Sequence, residues 1–266
     1  MNKVYRRSIL FFTIFFVLFL LACNATFTVG YPTPTIAPPT AIPTNTDIPL
    51  SGQVELVSQP YIETNQEPAF TITAQIPQLS GSDDPRVQAF NQKLDELVQK
   101  EIAVFRDEFS NAPPIDVSAD SFLEVTYTLV SQYNDIWSLK FFYNFYYNGA
   151  AHPGDFSQTL NYDLGEGREL SLEDLFMPGS NYLETISNFC ITELRKQPYS
   201  DSFTTEGADP RLENYRNWNI TPDGLMITFD TYQVAPGAAG PQIILVPYEQ
   251  LTEMIDPQGT LNTFLQ

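Results

Sequence analysis

His152 is the only histidine in the chain, and it lies in the stretch "YYNGAAHPGDF", Tyr146 to Phe156. An imidazole can serve as general base, metal ligand or hydrogen-bonding group near neutral pH, so its surroundings must decide among these roles. With one histidine and two cysteines, Cys23 and Cys190, a zinc site of nitrogen and sulfur ligands is not expected. A serine hydrolase would have to use His152, yet no serine occupies a G-x-S-x-G elbow. None of the five lysines follows the glycine pattern of a phosphate loop. In "DLGEGRELSLED", Gly165 and Gly167 stand where a calcium loop needs oxygen ligands, and Arg168 replaces its glycine. No metal or cofactor is therefore expected. The 32 Asp and Glu residues leave one chemical alternative, a carboxylate-dependent cell-wall glycan hydrolase, because such an enzyme needs only two acids at the right separation.

Pro153 restricts His152 to an extended conformation, which suits a turn or packing role and leaves a ligand contact as the second reading. A second loop, "APGAAGP" from Ala235 to Pro241, has the same character. Loops of small residues and aromatics can approach a partner closely, so His152, Tyr147, Tyr232, Pro236 and Gly237 are the candidate contact residues. Turn geometry accounts for the same glycines and prolines.

The elements that must hold these loops are legible from periodicity. "QVELVSQPYIE" and "PAFTITAQIPQL" read as strands, the second with Phe70, Ile72, Ala74 and Ile76 on one face. "DDPRVQAFNQKLDELVQKEIAVFRDEF" reads as a long helix with Asp84 as N-cap and Pro85 at its first position. Val87, Phe90, Leu94, Leu97, Phe105 and Phe109 make its apolar stripe, and Pro113 and Pro114 end it. Three strands follow as an antiparallel meander. In the first, Leu123, Val125, Tyr127 and Leu129 share a face. In the second, Trp137, Leu139, Phe141, Tyr143, Phe145 and Tyr147 lie on one side, with Phe142 and Tyr146 on the other. "DFSQTLNYDLG" is the third, and the His152 loop joins it to the second.

"SLEDLF" reads as a short helical turn, and Asn181 with Glu184 as a capping pair for a second helix. In that helix Leu183, Ile186, Cys190 and Leu194 share a face, so Cys190 is expected to be a buried thiol acting as a small hydrophobe. "TPDG" at 221–224 is a turn, "LMITFDTYQV" and "PQIILV" are strands, and "PYEQLTEMI" is a short closing helix. The fold class expected is α+β: an antiparallel sheet meander with a long N-terminal helix and a second helix packed on it.

The N-terminus carries export signals. Lys3, Arg6 and Arg7 precede an apolar run, Ile9 to Leu21, that is short for a membrane span. It ends in "LLAC", which resembles the lipobox of bacterial lipoproteins, where Cys23 would be acylated and tie the protein to a lipid bilayer outside the cytoplasm, on the cell membrane or an outer membrane. Thr26 to Pro49 is rich in proline and threonine, a composition that favours extended chain and spans up to about 70 Å at roughly 3 Å per residue. The expected organisation is a signal peptide over 1–22, a stalk over 23–50, a strand–helix subdomain over 51–115 and an α+β subdomain over 116–266.

The formal net charge is −19, and loss of the three signal-peptide cations takes it to about −22. Such a surface repels nucleic acid and anionic lipid, and suits a cationic protein.

Several stretches, "IPQLSG", "GAAHP", "LSLEDLF" and "NWNITPDGLMITFDTYQVAPGAAGPQIILVPYEQL", together resemble an extracellular domain family of unknown general function. That family includes the lysozyme-sensing ectodomain of the anti-sigma-V factor and the non-catalytic N-terminal region of a peptidoglycan deacetylase. The resemblance spans about residues 53–256 and makes the His152 loop a family signature. The short segment before the apolar run does not suit an anti-sigma role, and a single histidine does not suit deacetylase catalysis. The resemblance implies a non-enzymatic, lipid-anchored module that binds or senses cell-wall peptidoglycan or an extracellular protein such as lysozyme.

Overall fold

Alternating burial along the N-terminal third builds one face of a sheet, and a helix covers it. The computed structural model describes residues 49–111, 120–198 and 200–264. The signal segment, Cys23, nearly all of the stalk, and Pro113 and Pro114 lie outside the described residues. β1 (Glu55–Gln66) and β2 (Ala69–Ser80) pair antiparallel in continuous register. Phe70, Ile72, Ala74 and Ile76 of β2 are all buried, as their alternation requires. α1 (Pro85–Asn111) begins where Asp84 Oδ1 accepts the backbone N–H of Arg86 at 2.8 Å. That bond satisfies an otherwise orphaned donor of the first turn. Val87, Phe90, Leu94, Val98, Ile102 and Phe105 form its buried stripe, with Leu97 and Phe109 packed at the margin. Each such aromatic or aliphatic side chain contributes about 1.5–3 kcal/mol of burial.

α1 carries the chain to β3 (Ser121–Tyr133), which pairs parallel with β2. The boundary expected after residue 115 therefore falls within one sheet and one core. β4 (Ile136–Tyr146), β5 (Gly154–Asp163) and the two-residue β6 (Arg168–Glu169) follow antiparallel, so the six strands lie in sequence order. Trp137, Leu139, Phe141 and Tyr143 of β4 face α1, while Phe142 and Tyr146 face away, matching the expected parity. Leu129 keeps its expected face, paired with Leu139, yet is 39 % exposed. The β3–β4 register shifts only beyond that pair, between Leu129 and Ser131.

A second core lies under a three-stranded antiparallel sheet of β7 (Trp218–Thr221), β8 (Gly224–Phe229) and β9 (Gln242–Pro247). α2 (Tyr182–Leu194) closes it with Ile186, Cys190 and Leu194. The Ser171–Asp174 capping box forms the expected helical turn at Leu172–Leu175. Asn181 meets Glu184 side chain to side chain at 3.0 Å, but its side chain caps no backbone N–H of the helix, so the expected capping pair does not form as such. The "TPDG" turn is held by Thr221 Oγ1, which accepts the N–H groups of Asp223 and Gly224. Two readings shift: "LMITFDTYQV" stops being a strand at Phe229, and the closing helix is only a 3₁₀ turn at Tyr248–Gln250.

The sheets meet through a buried polar seam. Asn219 Nδ2 donates to Ser138 Oγ and to the Leu139 carbonyl, both at 2.9 Å. Ser138 Oγ donates to Asn161 Oδ1 at 2.6 Å, and Asn161 Nδ2 donates to the Trp218 carbonyl at 2.8 Å. A slip of one residue would orphan every member of this network, so the seam fixes β7 against β4 and β5.

Candidate functional site

β8 ends at Phe229, and the next residue, Asp230, is a buried carboxylate with three donors aimed at it. Oδ1 accepts the backbone N–H of Ser157 at 2.8 Å, and Oδ2 accepts Arg216 Nη2 at 2.8 Å and Asn217 Nδ2 at 3.1 Å. Thr231 Oγ1 donates to Asp155 Oδ1 at 2.6 Å. Gln233 Nε2 donates to the carbonyls of Gly207 and Asn214, both at 2.9 Å. With 230, 231 and 233 all tied down, Tyr232 is the crest of the loop.

Tyr232 sits at φ +69° and is 64 % exposed. Positive φ is unfavourable for a bulky side chain, costs about 1–3 kcal/mol and clusters at sites of function. The ring lies directly on Gly237, where a Cβ would stand 2.2 Å from Tyr232 Cζ. The His152 ring lies near the Tyr232 ring, inclined by 28° at 6.5 Å between centroids. His152 Nδ1–H donates to the Pro153 carbonyl at 2.8 Å, which leaves Nε2 directed away from that bond.

Beside Tyr232 opens a cleft of about 670 Å³, lined by Thr204, Glu206, Gly207, Arg211, Glu213, Asn214 and Gln233. Its wall is fixed by backbone contact, because a Cβ on Gly207 would meet the Gln233 carbonyl oxygen at 1.8 Å. Asn214 Nδ2 bonds the carbonyls of Glu206 and Asp209, each at 3.0 Å. An exposed aromatic face beside a rigid polar cleft is equipped for stacking and hydrogen bonding. Among the described residues, no group of three or more His, Cys, Asp or Glu is positioned to hold a metal ion. No helix among them is long and apolar enough to cross a membrane.

The structure thus brings His152, Tyr232, Pro236 and Gly237 together. Pro236 precedes the 3₁₀ turn Gly237–Ala239 and accepts the Ala239 N–H at 2.8 Å. Tyr147 lies elsewhere, stacked on Phe105 at 5.1 Å and 23° on the α1 side of the sheet. Its odd parity along β4 and the turn that follows sends it there. Asp155, Thr231, Gln233 and the cleft residues were not legible, since 200–216 has no apolar periodicity and a polar loop residue reads alike whether it braces a site or faces solvent.

Residues 173–249, which include Tyr232 but not His152, match the family described as protein of unknown function (DUF3298). Across 175 residues the chain is 29 % identical to the peptidoglycan-N-acetylmuramic acid deacetylase of Bacillus subtilis, covering 63 % of this chain and 37 % of that protein. It is 31 % identical over 104 residues to an esterase of Mycobacterium tuberculosis, covering 38 % of this chain and 44 % of that one. The chain thus spans less than half the length of these relatives. Two crystal structures share the fold: a DUF3298 member from Bacteroides fragilis (TM-score 0.56, 17 % identity, 76 % of this chain and 94 % of that one) and one from Pseudomonas aeruginosa (TM-score 0.54, 15 % identity, 77 % and 94 %).

Proposed function

We propose that this chain, which carries a DUF3298 domain, is a non-enzymatic, lipid-anchored binding or sensing module outside the cytoplasm that engages cell-wall glycan through Tyr232. The observation that carries the proposal is the strained, braced and exposed Tyr232 ring, stacked beside His152 and bordering a polar cleft. The C–H faces of a pyranose pack on an aromatic face, and its hydroxyl and acetamido groups suit carbonyls and amides arrayed beside it. Similarity to a protein named for its action on peptidoglycan supports the substrate class. His152 holds the second ring of the platform and takes no part in proton transfer. Cys23 supplies the lipid attachment, and the proline-rich stalk gives the module its reach.

The test is co-sedimentation of the purified full-length protein with insoluble peptidoglycan. Wild type should pellet, and Tyr232→Ala should lose at least about tenfold in affinity with an unchanged melting temperature. Equal binding by that variant overturns the proposal.

The net charge of −19 favours a second reading, in which the partner is a cationic extracellular protein such as lysozyme. Binding to lysozyme that survives about 0.5 M salt, where exposed charges are largely screened, would support it. Release by salt would mark nonspecific charge attraction.

A further inference from the structure

The face of the six-stranded sheet turned away from α1 is only partly covered by the second sheet. Across it, register places Thr128, Lys140 and Thr159 in one row, then Thr126, Phe142 and Ser157, then Glu124, Asn144 and Asp155. Phe122 and Tyr146 end the series as a stacked pair at 6.1 Å and 27°. Thr126 and Thr128 are exposed, and Lys140, Phe142, Asn144 and Tyr146 are half-buried, so solvent reaches this strip.

Lys140 is the unusual member. Lys93, Lys100 and Lys196 each stand within salt-bridge distance of a glutamate, whereas Lys140 has no such ion pair among the described residues. The charge that acts on it is Asp230, whose two oxygens already receive Ser157, Arg216 and Asn217. Burial holds its ammonium below the usual lysine range, and Asp230 only partly offsets that. A partly desolvated cation without a dedicated counter-ion favours an anion from outside.

The strip runs into the Tyr232 platform. Tyr146 Oη donates to the Ala150 carbonyl at 3.2 Å, two residues before His152, and Asp155 holds Thr231, next to Tyr232. We infer that Lys140, flanked by Phe142 on the open sheet face, forms a subsite for the carboxylate of an acidic sugar whose chain extends onto Tyr232. The charge balance selects a single carboxylate. One ammonium can match one negative charge, whereas Glu124 and Asp155 on the same face repel a polyanion. The inference rests on the glycan reading above and adds to it the chemical class of sugar.

The test uses the full-length chain and two tetrasaccharides: alternating N-acetylglucosamine and N-acetylmuramic acid, which bears carboxylates, and neutral chitotetraose. Wild type should prefer the acidic sugar by about tenfold, the worth of one charge-assisted contact. Lys140→Met keeps the apolar stem and should abolish that preference while leaving chitotetraose binding unchanged; Lys140→Arg should retain it and so report on the cation rather than the packing. A wild type that binds both sugars equally, or a Lys140→Met variant that keeps the preference, overturns the subsite alone. If neither sugar binds, the glycan reading falls and the subsite with it.

Discussion

Ser157 donates its backbone N–H to Asp230 Oδ1 across 2.8 Å, joining β5 of the large sheet to the loop that leaves β8 of the small one. The same carboxylate holds Arg216 and Asn217, so one buried group fixes the base of the Tyr232 loop against both sheets. Replacing Asp230 with alanine would strand a buried N–H and a buried amide. A loss of about 3 kcal/mol is expected, with Asp230→Asn milder because one carbonyl acceptor remains. Urea denaturation of both variants checks this. A loss for Asp230→Ala under about 1 kcal/mol, typical of exposed pairs, would mean that Asp230 does not brace the site.

Gly237 is required by the ring above it rather than by its own backbone. A methyl group there would occupy the space of Tyr232 Cζ, 2.2 Å away, and the ring end is the part free to move. Gly237→Ala should therefore displace Tyr232 from His152 and weaken glycan binding as much as Tyr232→Ala does. The melting temperature should change by no more than a few degrees, since the clash is relieved at an exposed side chain. Binding at wild-type strength would show that the stacked geometry is not what the ligand uses.

The parts of this fold legible in advance are those where burial repeats along the chain. Phe70 to Ile76, the α1 stripe and the two faces of β4 all follow from period 2 or 3.6, because a continuous core enforces that period. Leu129 keeps the parity its alternation predicts, opposite Leu139, and only its exposure escaped, because what covers a strand's face is set by tertiary packing rather than by that strand's own alternation. β7 escaped because four residues are too few to show a period. For the candidate site, glycines and an isolated aromatic pointed to two loops that the fold brings together. Their meeting could not be read, since 80 residues separate His152 from Tyr232. Lys140 was invisible for another reason: whether a lysine on an alternating strand is paired depends on which residues lie across the neighbouring strands.

Acid should expose two aspartates of opposite sign. Arg86 grips Asp84 through Nε at 3.0 Å and Nη2 at 2.9 Å, and holds its carboxyl below the ordinary aspartate value of about 3.9. Its contribution is present above about pH 4 and is lost as pH falls through the folded value. Burial, with Glu166 nearby, pushes Asp163 the other way. The folded state then holds its proton more tightly than the unfolded chain, so ionised Asp163 costs stability at neutral pH, and that cost vanishes as pH falls below about 4. Melting curves from pH 3 to 8 should show Asp84→Asn less stable than wild type and Asp163→Asn more stable near neutrality, with both differences shrinking at the acid end. An Asp163→Asn variant that melts lower at pH 7 would contradict the assignment, since its amide oxygen can still accept the Glu166 N–H now at 2.9 Å.

Cys190 offers a check on the second core that is independent of any ligand. Its side chain is fully buried between Ile186 and Leu194, and burial, with a smaller push from Glu193, raises the thiol to about 12. The thiolate is the reactive form, so at pH 8 the folded protein holds Cys190 both protonated and enclosed. In a Cys23→Ser background, which leaves one thiol, an aromatic disulfide reagent should label Cys190 only as fast as the core opens, and at once in strong denaturant. Cys190→Ala should cost about 1–2 kcal/mol through the small cavity it leaves, and Cys190→Ser more, because its hydroxyl would enter an apolar site. Rapid labelling of the native protein at pH 8 would mean that α2 is not closed over the three-stranded sheet. The brace that Gln233 makes to Gly207 would then lack a fixed wall.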